Sequence, residues 1–201
     1  MRIKAVLLAG LGAAVVSTPA FAQQWYVGLY IHDVTLVGEA IGLGAAGRES
    51  GTQDLQIGYR TGQLESPRWL GRPQAHAFVS ANNKNMSNFG AAGFGWPIAL
   101  GERLYFRPAF GLAYTDGKAG LPPANAANLT PDERARRTHL YYTRIDFGSK
   151  LLFNPELALG FKFTDRLAGE FSYNHLSNGQ IFHRGKNQGL DDMGVRLVYS
   201  F

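Results

Sequence analysis

The 201-residue chain contains no cysteine, which excludes a disulfide scaffold and any thiolate metal site. Charge is scarce too: Asp, Glu, Lys and Arg make up only 17% of the residues, and the net charge is a modest +5. That balance gives no reason to expect nucleic acid as a partner. Two of the positive charges, Arg2 and Lys4, belong to a leader. There a positive start, the apolar run Ala5–Val16 and the A-x-A site Ala20-Phe21-Ala22 read as a secretory signal peptide over residues 1–22. Removing 22 of 201 residues leaves 179, starting at Gln23, enough for a single domain over 23–201. This remainder has no uninterrupted apolar run of about 18 residues or more, so no transmembrane helix is expected.

Glycine (25 residues) and aromatics (12%) are plentiful and fall among alternating apolar and polar positions. That combination fits a small all-β protein. Side chains two apart share one face of a strand, so each strand has an apolar and a polar face. In a soluble sandwich the apolar face covers a core. In a membrane barrel it meets lipid, and polar side chains and Gly line a narrow interior. The polar faces here carry Arg, Lys, Asp and many Gly. The expected fold is therefore an all-β, eight-stranded antiparallel transmembrane β-barrel.

Strands are expected over Gln24–Asp33, Thr52–Arg60, Gln74–Asn82, Asn88–Ile98, Leu104–Tyr114, Leu151–Phe163, Ala168–Asn178 and Leu190–Phe201. Both termini of such barrels lie on one side, so the strand number is even. Odd positions stay apolar over much of His139–Phe163, and His139–Ser149 is read as an extension of the sixth strand. Pro108 is read as marking a bulge, and Val34–Gly51 has no assigned path. Trp25, Trp96, Tyr199 and Phe201 fall at one end, where an aromatic girdle belongs.

The last two strands carry an anomaly. The apolar face of Ala168–Asn178 includes His175 and Ser177, and that of Leu190–Phe201 includes Asp191. A nucleophile, a base and an acid thus share a lipid-facing surface beside the connecting loop. Residues two apart on a strand have Cα atoms about 6.5–7 Å apart, close enough for the imidazole to take the hydroxyl proton. Serine attacks only when a base accepts that proton, and a carboxylate improves the base by fixing its tautomer. Asp192, the other acid, has inward parity. A charge on the lipid face costs about 2–4 kcal/mol at mid-membrane for Lys or Arg, and about 0–1 near the interface, so the acid belongs near the outer leaflet. Such a site meets membrane lipid first. A His-x-Ser pair also arises by chance among polar rim residues, and Asp191 on the same face favours the catalytic reading. Arg134, Arg136, Arg137, Arg184 and Lys186 are read as solvated charge, or as partners for lipopolysaccharide phosphates. His32, His76, His139 and His183 show no metal-ligand spacing.

His175-Leu176-Ser177-Asn178, followed by Asn187-Gln188-Gly189-Leu190-Asp191, resembles the last hairpin of the lipid A 3-O-deacylase (PagL-type) family. Phe110-Gly111-Leu112-Ala113 and Phe147-Gly148-Ser149 resemble weaker family segments. The resemblance implies an outer-membrane barrel hydrolysing the ester-linked acyl chain at position 3 of lipid A. It matches His175 to the family base and Ser177 to its nucleophile. Asn178, Asn187 and Gly189 match positions near the oxyanion site. The family acid is typically Glu, whereas this chain offers the shorter Asp191, and the preceding loop is about two residues longer. The expected protein is a metal-independent serine esterase of the cell outer membrane, without cofactor or nucleic acid. Its partners are lipid A or lipopolysaccharide and outer-membrane lipid, with homodimer formation left open. The alternatives are a lipid acyltransferase or phospholipase on a similar barrel, and a structural or adhesin-like barrel.

Overall fold

The computed structural model describes residues 21–42, 46–66 and 68–201. Most of the signal segment read over residues 1–22 lies outside the described residues. Eight antiparallel strands follow the alternation: β1 (Gln24–His32), β2 (Thr52–Arg60), β3 (Gln74–Asn82), β4 (Phe89–Gly95), β5 (Leu104–Thr115), β6 (Leu151–Lys162), β7 (Leu167–Leu176) and β8 (Leu190–Ser200). Each pairs with the next, and β1 pairs with β8 from Gln24↔Ser200 to Ile31↔Met193, which closes the barrel. Among the described residues, closure leaves these eight strands no open sheet edge, and only the two-residue strand Ile98–Ala99 pairs on one side alone. Among the described residues, no helix is long and apolar enough to cross a membrane.

Burial confirms the assignment of faces. Along β1, Gln24, Tyr26, Tyr30 and His32 are buried, while Trp25, Val27, Leu29 and Ile31 are exposed. The outer wall continues as a belt of exposed apolar side chains that includes Ile57, Val79, Leu112, Leu159 and Leu197. An apolar surface of that extent needs an apolar neighbour.

The interior is filled by an ionic network. Arg196 binds Glu156 (2.7 Å) and also Glu170, Arg60 binds Glu170 (2.7 Å), and Arg107 binds Glu156 (2.7 Å). The hydroxyl of Tyr105 donates to Glu170 at 2.7 Å. Burying a charge is tolerated only when partners replace its water, and here each carboxylate meets at least two cations. Inward glycines make room for the large rings of this plug. A Cβ on Gly160 would come within 2.1 Å of the Tyr105 ring, and one on Gly58 within 2.3 Å of Tyr26. Chemistry on a substrate must therefore take place on the outer wall or at the mouth.

Two details differ from expectation. Pro108 marks no bulge: Gly95↔Ala109 and Ile98↔Phe106 belong to one unbroken register, as do all the pairs of β5 with β6. Its missing N–H is absorbed by a local gap at Trp96–Pro97, with the Trp96 amide donating to the Pro108 carbonyl (2.9 Å). His139–Ser149 is not a strand extension either. His139–Thr143 ends a helix, α1 (Pro131–Thr143), capped by Thr130, whose side chain accepts from the Glu133 amide at 3.2 Å, with Pro at its start. Ile145–Phe147 then crosses the mouth, buried, with the Ile145 amide donating to Glu49 (3.2 Å). Val34–Gly51, which had no path, contains the short helix Leu36–Ala40.

Candidate active site on the outer wall

The outward residues of β7 show a gradient of burial towards the loop end. Phe171 is 51% exposed, Tyr173 7% and His175 2%. In β8, Asp191 lies directly opposite His175 and is fully buried, and Met193 lies opposite Tyr173. Side chains directly opposite on one face come within about 4.5–5.5 Å at Cβ, and diagonal pairs stay within reach of long side chains. His175 Nδ1 is in direct contact with Asp191 Oδ1. With Nδ1 bound to a carboxylate, Nε2 is the nitrogen available to take a proton.

Ser177 follows on the same face, just beyond β7. It is held by a backbone bridge to Phe153 of β6: the Phe153 amide donates to the Ser177 carbonyl (2.7 Å), and the Ser177 amide donates back (3.2 Å). Of the three predicted triad residues, Ser177 alone is partly exposed. Its hydroxyl makes no hydrogen bond with His175 among the described residues. The structure thus joins His175 to Asp191 and leaves the Ser177 hydroxyl next along the wall, at the accessible end.

Asn178 points inward and is fully engaged. Its Nδ2 donates to the carbonyls of Phe147 (2.6 Å) and Lys186 (2.8 Å), and its Oδ1 accepts from the Gln180 amide (2.7 Å). Its backbone amide donates to Asn187 Oδ1 (2.7 Å). Asn178 therefore pins the 177–189 loop to the segment that crosses the mouth. Gly189 is buried, and its carbonyl accepts from the Ala46 amide (3.3 Å). Asp192 faces the interior, 3.4 Å from His32 Nδ1, so the two adjacent carboxylates serve opposite sides of the wall.

Sequence reasoning missed two features. The Tyr173 phenol lies beside Asp191, and among the described residues the phenol oxygen and Asp191 Oδ2 are both buried without a hydrogen-bond partner. The signal was present, since Tyr173 shares the parity of His175. The second feature is an aromatic platform beside Ser177, where Phe153 stacks on Phe182 at 4.7 Å and meets Phe110 at 5.7 Å. Phe182 reaches it from the loop, which strand periodicity does not describe. Of the basic residues, Arg136 and Arg137 are tied to Glu133 (2.8 and 2.6 Å), and they hold its carboxyl down at about 2. Lys186 and Gln188 line a pocket of about 390 Å³ with Arg48, Tyr141 and Tyr142.

The fold defines the class: an eight-stranded antiparallel barrel of the outer-membrane type. The family model of lipid A 3-O-deacylase (PagL) matches residues 52–200, and the chain belongs to that family. The crystal structure of the outer membrane enzyme PagL is similar at a TM-score of 0.55 and 13% identity, covering 89% of this chain and 99% of that one. A de novo designed transmembrane β-barrel is similar at a TM-score of 0.51 and 13% identity, covering 92% and 98%. No curated protein matches the chain.

Proposed function

We propose that this protein is a lipid A 3-O-deacylase of the outer membrane, hydrolysing the acyl ester at position 3 with Ser177, His175 and Asp191. The observation that carries this reading is the His175–Asp191 contact on the outer wall, beside a partly exposed Ser177 and above the apolar belt. Lipid with its glycosidic headgroup at the interface would present its ester at this height. The Phe110–Phe153–Phe182 platform offers the acyl chain an apolar surface next to the nucleophile.

In this mechanism Ser177 Oγ attacks the acyl carbonyl carbon while His175 Nε2 accepts its proton. Asp191 holds the Nδ1–H and stabilises the imidazolium that forms. The tetrahedral oxyanion needs donors aimed at where its charge develops. Asn187, which uses only Oδ1 towards Asn178 among the described residues, and the Gly189 amide are the candidates. Asn178 acts through Asn187, holding it in place. Collapse expels the sugar oxygen, which takes the proton from His175, and water then releases the fatty acid from Ser177. No step requires a metal.

Mass spectrometry of lipid A from expressing cells tests the reaction. Loss of one hydroxyacyl chain supports hydrolysis. A heavier lipid A would mean acyl transfer, and an unchanged profile would leave a structural barrel.

A further inference from the structure

The inner face of the barrel mouth holds a second cluster that this chemistry does not use. His32 of β1, Asp54 of β2 and Asp192 of β8 each bring one donor atom to a common point, all within 4.8 Å of one another, and all three side chains are buried. His32 Nδ1 lies 2.9 Å from Asp54 Oδ2 and 3.4 Å from Asp192 Oδ1. A tetrahedral ion with bonds to N and O of about 2.0–2.2 Å holds its donors about 3.3–3.6 Å apart. The His32–Asp192 separation already matches such an edge, while the His32–Asp54 pair stands at hydrogen-bond length and would open by about 0.4 Å to admit the ion.

Three further observations point to a ligand. Asp192 Oδ2 is buried with no hydrogen-bond partner among the described residues. The other ring nitrogen of His32, Nε2, lies 3.3 Å from Glu49 Oε2, the outer-shell carboxylate that orients a metal-bound imidazole. Asp54 is likewise oriented, by Asn82 donating to Oδ1 (2.8 Å) and Ser80 donating to Oδ2 (3.0 Å). Charge completes the argument. Asp33, Glu49, Asp54 and Asp192 are buried together, and facing them are His32 and the half-buried Arg144, whose Nη1 lies 3.8 Å from Glu49. Buried carboxylates in excess of cations are costly unless a further positive charge joins them.

We propose that His32, Asp54 and Asp192 bind one divalent transition cation of the zinc or manganese kind, with Glu49 as the outer-shell partner of His32. The site is structural. It ties β1 and β2 to β8 across the closure of the barrel. It also fixes the backbone of Asp192, and hence of Asp191, while both bound carboxylates face away from His175.

The test uses the full-length barrel, purified in detergent, stripped with a chelator, and titrated with zinc chloride and separately with manganese chloride. One ion per chain by elemental analysis is expected. At a hundredfold excess over Kd, the unfolding temperature should rise by about 5–10 °C. Asp192→Asn and His32→Gln should each lose the stoichiometric ion, and Glu49→Gln should weaken binding about 10–100-fold. Ser177→Ala, on the other side of the wall, should bind like the wild type. If neither salt shifts unfolding, or if the Asp192→Asn barrel retains its ion, the site does not exist. Should Asp192→Asn fail to fold, His32→Gln and Glu49→Gln decide the question, and wild-type affinity in both overturns it.

Discussion

Replacing Asp191 with Asn probes the outer-wall pair without changing its volume. Asp191 Oδ1 receives His175 Nδ1, and Oδ2 is buried near the Tyr173 phenol without a hydrogen-bond partner among the described residues. An Asn amide cannot accept at both ends. If its oxygen turns to the phenol, its N–H2 faces Nδ1, so the ring carries its proton on Nε2 and cannot take one from Ser177. Loss of the correct tautomer in a Ser-His-acid set costs roughly 10⁴ in kcat, about 5.5 kcal/mol at 1.36 kcal/mol per tenfold. The opposite flip keeps the tautomer but gives up the charge that stabilises the imidazolium, so about 10³–10⁴ is expected overall. Asp192→Asn changes a side chain that faces His32 across the wall and should cost no more than about tenfold. The assay is release of hydroxy fatty acid from purified lipid A by equal amounts of folded protein. Asp191→Asn within tenfold of wild type, or Asp192→Asn the more damaging of the two, would refute the assignment of faces.

Tyr173→Phe removes the buried phenol oxygen beside Asp191; if that phenol closes onto the carboxylate during turnover, kcat should fall about tenfold with KM unchanged, the worth of one hydrogen bond to a charged group. An unaltered kcat would show that the phenol does not position the acid. Gly160→Ala drives a methyl group into the Tyr105 ring, with Cβ at 2.1 Å, and overpacking of this kind costs about 1–3 kcal/mol. Urea unfolding measures it, and wild-type stability would mean that the interior plug gives way easily. Glu133 has its carboxyl pKa depressed from 4.5 to about 2 by Arg136 first and Arg137 second. Its contribution to α1 is therefore complete above pH 4.5 and fades as pH falls through about 2. Carbon NMR should place the Glu133 midpoint near 2, and a midpoint above 4 would deny the Arg contacts.

The strands were legible because burial alternates with period two. Trp25, Val27, Leu29 and Ile31 could be assigned to the outer wall from spacing alone, and the structure keeps them there. The same periodicity misled at His139–Ser149. Ile145 and Phe147 alternate like a strand because they seal the mouth, while Thr130-Pro131-Asp132-Glu133 starts a helix just upstream. Proline at position 108 suggested a bulge, but a ladder can skip one donor when the neighbouring strand supplies the gap. His175 and Asp191 could be read as neighbours because a hairpin joins their strands. His32, Asp54 and Asp192 could not, since only the pairing of the first strand with the last brings residues 32 and 192 together.

The measurement that bears most directly on Ser177 as nucleophile is peptide mapping after treatment with a long-chain alkyl fluorophosphonate in detergent. An adduct on Ser177 Oγ is expected, lost or strongly slowed in His175→Ala and in Asp191→Asn. Labelling at another residue, or labelling of Ser177 at an unchanged rate in His175→Ala, would contradict the outer-wall mechanism.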